Sequence, residues 1–175
     1  MPQIRRTNGE ETWYRLREWT KGQAAAERLS SHILDSDQFK SIDPSHPLGG
    51  RDGIKDMICI KDNLKWIGGC YFPRGQKTFK TIKDKFLNDL AGVTQNEVDG
   101  LIFITNQELS LAERAKLINL SEYDVDIFHL ERIVNLLNSP SNYGVRLEFL
   151  DIEINVEEQL AFFAERDKKY ELITE

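Results

Sequence analysis

The chain of 175 residues is long enough for one ordinary domain and too short for two comfortable ones. With 40% apolar and 30% charged residues it has the composition of a folded globular protein, which argues against a disordered chain. No apolar run approaches the roughly 20 residues that a bilayer-spanning helix needs. Residues 1–6 are polar with no apolar stretch behind them, so no secretory leader is expected. Two cysteines, Cys59 and Cys70, are too few for a disulfide framework or a zinc site, and read as small buried hydrophobes in a reducing, cytoplasmic compartment.

The formal charge of −6 is unevenly spread. Residues 51–85 carry nine Lys or Arg against four Asp, whereas residues 148–175 carry nine acids against three bases. A basic middle on an acidic protein has two readings: an electrostatic footprint for phosphates, or one solvated helix face.

In chain order, residues 11–34 read as helical, with Trp13, Leu16, Trp19, Ala24, Leu29 and Ile33 near the helical period and Gly22 as a point where two helices divide. Residues 35–53 are rich in Ser, Pro, Asp and Gly and read as a loop. Residues 54–60 and 64–72 are apolar on both faces, as strands inside a covered sheet are. Lys61-Asp62-Asn63 between them suits a tight hairpin turn. Residues 78–90 place Phe79, Ile82, Phe86 and Leu90 on one helical face, with lysines on the other. Residues 101–105 are a short buried strand. Ser110 with Glu113 predicts a capping box opening a helix over 111–120. Residues 125–128 read as a strand and 130–137 as a helix. Ser139-Pro140 and Tyr143-Gly144 mark a loop, residues 145–154 alternate like a strand, and 156–166 read as a last amphipathic helix. Strands separated by helices predict an α/β domain with a mixed central sheet over residues 1–155, followed by a C-terminal helix and charged tail or linker over 156–175.

The stretch richest in chemistry is Gly49-Gly50-Arg51-Asp52-Gly53-Ile54-Lys55-Asp56, in which glycines relax the backbone and two aspartates stand four apart as a strand begins. An even separation puts both on one face of a strand. A two-residue turn at Asp62-Asn63 sets opposed residues to sum to 125, which faces Asp56 with Gly69. That is where a second carboxylate would serve a Mg²⁺ ion, which takes oxygen ligands from neighbouring backbones.

A helix bearing Glu27, then Gly-Gly-x-Asp-Gly-x-x-Asp on a strand, a hairpin, a helix, Leu-Ile-Phe-Ile-Thr-Asn-Gln, a helix and a short strand resembles the restriction-endonuclease-like (PD-(D/E)xK) superfamily over roughly residues 23–137. More narrowly it is similar to the type IV restriction-like modules of bacterial defence proteins. The resemblance implies that Glu27 matches the helix acid and Asp56 the strand Asp, which together would hold the metal as catalytic residues. Where the superfamily carries Glu-x-Lys, this chain has Gly69-Cys70-Tyr71, and neither glycine nor tyrosine replaces the missing groups. Migrated catalytic residues occur in the superfamily, and Gln76 and Lys77, just past the strand, are placed to swing in. Arg51, Arg74, Lys77, Lys80 and Lys83 are the candidate nucleic-acid contacts.

Each of these residues also has a plain structural reading. Glu27, next to Arg28, reads equally as a solvated acid, and Asp52 as a turn residue. Asp56 is harder to dismiss, because a carboxylate entering an apolar strand must be paired or coordinated. His32, His46 and His129 lack ligand spacing and read as structural, although His46 lies near Asp52 and Asp56 in sequence. Thr105-Asn106-Gln107 sits at the carboxyl end of a strand, where α/β sheets bind ligands, and also where a loop caps its helix. Tyr71, Phe72 and Phe79 are more often core than a base-stacking platform. Three functions fit: a degenerate nuclease-fold module that recognises DNA or other subunits of a defence complex, a Mg²⁺-dependent endonuclease with a rearranged site, or a protein-interaction or oligomerisation domain. The missing Glu-x-Lys weighs against the second and the basic segment against the third.

Overall fold

The computed structural model describes residues 9–44 and 57–174. Helix α1 (Glu10–Arg17) stops short of helix α2 (Gly22–Ser36), and Gly22, at a positive φ of 85°, makes the break that the sequence predicts. The Trp19 indole donates to the Gly22 carbonyl at 2.9 Å and locks the corner.

A hairpin anchors the sheet. Strand β2 (Met57–Lys61) and strand β3 (Leu64–Tyr71) pair antiparallel from Lys61↔Leu64 to Met57↔Gly68, the register that the two-residue turn predicts. Asp62 and Asn63 both hold positive φ, 54° and 62°, as a type I′ turn demands and as their short polar side chains tolerate. Strand β1 (Lys40–Pro44) adds to the free edge of β2, antiparallel and with an irregular register between Lys40 and Asp43. This strand corrects the loop expected over 35–53, at least in the described part. Its polar residues and terminal proline carry no strand signal, but an edge position tolerates both.

On the other side of β3 the pairing turns parallel. Helix α3 (Phe79–Gln95) carries the chain to strand β4 (Gly100–Thr105), and helix α4 (Leu111–Asn119) carries it to strand β5 (Asp124–Phe128). The sheet order is therefore β1-β2-β3-β4-β5, antiparallel through β3 and parallel beyond it. An α/β domain with a mixed sheet flanked by helices is thus what the sequence predicts.

Two apolar layers cover the sheet. Met57, Cys59, Trp66, Cys70, Ile102, Ile104 and Phe128 face α1, α2 and helix α5 (Leu130–Leu137). Ile67, Leu101, Phe103 and Ile127 face α3 and α4. Strand β4, in the middle of the parallel part, is buried along its whole length.

One predicted strand is a helix. Residues 143–150 form α6 (Tyr143–Leu150), in which Tyr143, Arg146, Phe149 and Leu150 are buried at helical spacing while Leu147 stays exposed. A short run that alternates apolar and polar also fits a helical face, and Arg146 decides between the two. Its buried guanidinium pairs with Glu158 and donates to Asn138 Oδ1 at 3.1 Å, contacts that only the helical path supplies. The last helix, α7 (Val156–Thr174), runs past the expected residue 166, and no residue over 156–173 is buried.

The capping box at α4 is present, with Ser110 Oγ accepting from the Glu113 amide at 3.2 Å and Glu113 Oε1 from the Ser110 amide at 3.0 Å. Ser110→Ala is expected to lower stability by about 1 kcal/mol without changing the fold, measured by urea denaturation.

Candidate functional site

Among the described residues, the predicted site residues are not gathered in one place. Asp56 and Arg51 lie outside the described residues, as do Asp52 and His46. Glu27 is half-buried on α2, where it accepts from Gln23 Nε2 at 3.3 Å, and the same amide donates to the Cys70 carbonyl at 3.1 Å. Cys70 points at that helix too, its Sγ lying 3.3 Å from Ser30 Oγ. Strand alternation then turns Gly69 and Tyr71 to the opposite face, toward α3. The helix acid and the two positions that would bear Glu-x-Lys therefore face different layers.

The space over Gly69 is filled. A Cβ built there would stand 2.3 Å from Asp89 Oδ2, so the strand lacks a side chain at 69 because α3 delivers a carboxylate onto it. Asp89 is buried and receives Lys85 Nζ at 2.7 Å, one helical turn away. Tyr71 lies beside this pair; burial raises its phenol pKa and the Lys85 charge opposes the rise. Asp89 and Lys85 carried no sequence signal, because they lie one helical turn apart and read as an ordinary surface pair.

At the carboxyl ends of β3 and β4, Thr105, Asn106 and Gln107 are wholly buried. Thr105 Oγ1 donates to the Tyr71 carbonyl at 2.7 Å. Asn106 Nδ2 donates to the carbonyls of Leu16 and Pro73, at 2.8 and 2.7 Å. Gln107 Nε2 donates to the Gly75 carbonyl at 3.0 Å, and its Oε1 accepts from the Lys77 amide at 2.6 Å. Every polar atom here goes to hold the chain in place, so this motif clamps the loop between β3 and α3 and has no face left for a ligand. Of the aromatic candidates, Phe72 belongs to the core on the α1 and α2 side, while Tyr71 and Phe79 pack against the core on the α3 side.

The basic segment divides in two. Lys61 pairs with Asp37 at 3.1 Å, Lys85 with Asp89, and Arg74 with Glu18 at 3.5 Å. Lys77 and Lys80 are exposed and Lys83 is half-buried, and the three make no ion pair among the described residues. They lie at the start of α3, whose free amides add to the positive field. Gln76 does not swing inward; its amide bridges the backbone of Glu108, accepting from it at 2.9 Å.

Neither cysteine is a nucleophile in waiting: both are buried, and burial pushes the Cys59 thiol up to about 11. Among the described residues no group of three His, Cys, Asp or Glu is placed to hold a metal ion. A cleft of about 490 Å³ opens between α1 and α5, lined by Glu10, Trp13, Tyr14, Glu131 and Asn135 among others, and holds none of the predicted site residues. No family model matches the chain, and no curated protein or solved structure matches it either.

Gly69→Ala drives its methyl into Asp89 and is expected to cost roughly 1–3 kcal/mol by chemical denaturation. Adding Asp89→Ala should cost less than the two single losses combined, since the collision is removed. His129, buried between β5 and α5, has its pKa lowered to about 4 by desolvation and by the charges of Arg114 and Arg132. The unfolded chain then binds this proton first, so stability is full above about pH 6.5 and falls as pH drops toward 4, by on the order of 2–3 kcal/mol. Unfolding free energies measured across that window should lose this component in His129→Gln.

Proposed function

We propose that this chain is a degenerate nuclease-fold recognition module, serving as the sensor or adaptor part of a bacterial anti-phage defence system. A single observation carries the reading: the β3 position that would bear the second metal-binding carboxylate is Gly69, and its side-chain space is taken by the Asp89–Lys85 ion pair. The topology supports the restriction-endonuclease-like part of the proposal. A helix, a β-hairpin, a crossover helix and a parallel strand follow one another in the order that the resemblance implies. Lys77, Lys80 and Lys83 supply a positive surface for phosphates, with Arg51 and Arg74 as further contacts in the same reading.

One observation favours a second reading. The carboxylate over Gly69 occupies the place of a strand acid, and Lys85 is the lysine beside it, so a rearranged Mg²⁺ site would use Asp56 and Glu27 with Asp89 and Lys85, or with Lys77. Against it stand the burial of Asp89 and the opposite facing of Glu27.

The deciding experiment incubates plasmid DNA with the protein and Mg²⁺ or Mn²⁺, in parallel with binding titrations over a range of salt. The expected result is no nicking by wild type or Asp56→Ala, with affinity for DNA falling steeply as salt rises. The triple variant Lys77→Glu, Lys80→Glu, Lys83→Glu should weaken binding at least about tenfold and flatten the salt slope by roughly one unit for each phosphate no longer neutralised. Metal-dependent nicking that disappears in Asp56→Ala or Asp89→Asn would establish the rearranged endonuclease instead. Binding indifferent to salt and to the triple variant would leave a protein-interaction domain.

A further inference from the structure

We propose that the cleft between α1 and α5 binds a small linear diamine, with one ammonium group toward each end and the methylene stem along Trp13 and Val134. At about 490 Å³ the cleft falls within the size range of small-ligand sites. The carboxylates of Glu10 and Glu131 and the Trp13 indole line it, and no lysine or arginine does so among the described residues. An ammonium ion is drawn both to a carboxylate and to the face of an aromatic ring.

The two helices run antiparallel along the cleft, which sets the carboxylates apart. A Cβ added at Gly9 would stand 2.5 Å from Asn138 Nδ2 and 3.9 Å from Val134, and Thr12 Oγ1 donates to Asn138 Oδ1 at 2.7 Å. The start of α1, with Glu10, therefore lies against the later part of α5. Glu131 is in the first turn of α5, at the opposite end of the cleft. At about 1.5 Å of rise per residue, the stretch from Glu131 to Val134 and Asn138 sets the two carboxylates roughly 5–10 Å apart along the cleft. A compact monovalent cation meets one of them, whereas an extended diamine reaches both.

Glu10 and Glu131 make no ion pair among the described residues. An acid in the first turn suits the dipole of its own helix and needs no cleft for that. The dipoles do not account for two separate helices turning such acids into the same indole-lined space. Two acids also crowd the Trp13 end. Glu108, half-buried there, has its pKa raised by burial and then by the Glu131 charge, while the Trp13 indole from which it accepts, the Leu109 amide and Arg114 act the other way. Arg17 lies 5.1 Å from the Trp13 ring centre but does not line the cleft. An ammonium group beside Glu131 relieves the repulsion between the two acids. None of the α3 lysines lines this cleft, and its ligand is opposite in charge to a phosphate, so the proposal is independent of any DNA binding.

NMR titration of the full chain in low-salt buffer, with no nucleic acid present, tests this. The probe is the indole N–H resonance of Trp13, assigned through Trp13→Phe. 1,4-Diaminobutane is expected to shift it saturably, with the indoles of Trp19 and Trp66 unmoved, and to bind about three- to fivefold tighter than butylamine. Affinity should peak within the series from 1,3-diaminopropane to 1,8-diaminooctane. Glu10→Gln and Glu131→Gln, both at exposed positions, should each weaken the diamine by about three- to fivefold with little change in urea denaturation, and the two together should abolish saturable binding. A diamine no tighter than butylamine, or binding that survives both substitutions, would overturn the proposal. So would Mg²⁺ moving the same resonance with equal affinity, which marks a diffuse acidic field. Binding that appears only in Arg5→Ser, Arg6→Ser would give the cleft to the chain's own first residues and overturn it as well.

Discussion

The clamp at the end of β4 governs where the rest of the chain goes. Three consecutive buried polar side chains, Thr105, Asn106 and Gln107, satisfy carbonyls on α1, on the end of β3 and on the loop that follows it. A buried amide left without partners costs about 1–3 kcal/mol, so each of these contacts is obligatory once the strand end is covered. The consequence is geometric. The carbonyl of Leu16 binds α1 to the sheet, and the Lys77 amide is held so that α3 starts in a defined place. The Gln107 carbonyl also accepts from the Leu130 amide at 3.1 Å, which seats the start of α5. Four elements therefore meet on one tripeptide.

With α3 so placed, the chemistry of the sheet follows from packing. The helix crosses β3 where the strand has no side chain, and the buried Asp89 carboxylate uses that gap with Lys85 as its counter-ion. A buried charge is tolerated in this way only when it is paired. The absence of a side chain at Gly69 is thus what lets the Asp89 carboxylate of α3 approach β3.

The second ion-pair network closes the other face. Asp37 at the end of α2 receives Lys61 of β2 and Arg132 of α5, and Arg132 also pairs with Asp126 at 2.6 Å. Arg132 stacks 3.6 Å from the Phe128 ring centre and Lys61 lies over the Phe39 ring, so these cations cover the core as well as bridging charges. Of the basic segment, Lys61, Arg74 and Lys85 are used on structure in ion pairs. Lys77, Lys80 and Lys83 at the start of α3 make no ion pair among the described residues, while the first turn of α7 is acidic.

Local signals were legible wherever a side chain acts on its own neighbourhood. The Asp62-Asn63 turn, the Ser110–Glu113 box, the break at Gly22 and the apolar strands β3 and β4 all follow from rules that span a few residues, and the hairpin register followed from the turn length. The buried strands also announced an α/β layer. What the sequence could not decide was anything set by a distant partner. Strand β1 exists because β2 offers an edge, and α6 is helical because Arg146 finds Glu158 and Asn138. Thr105-Asn106-Gln107 allowed a ligand site or a loop that caps its helix, and only the carbonyls of Leu16, Pro73 and Gly75 made it a clamp. Likewise Gly69 read as a missing ligand, and only the packing of α3 put Asp89 over it. Periodicity and turn chemistry are short-range, so the sequence determines the elements; burial and charge pairing act through space, so the tertiary structure decides what the polar residues are for.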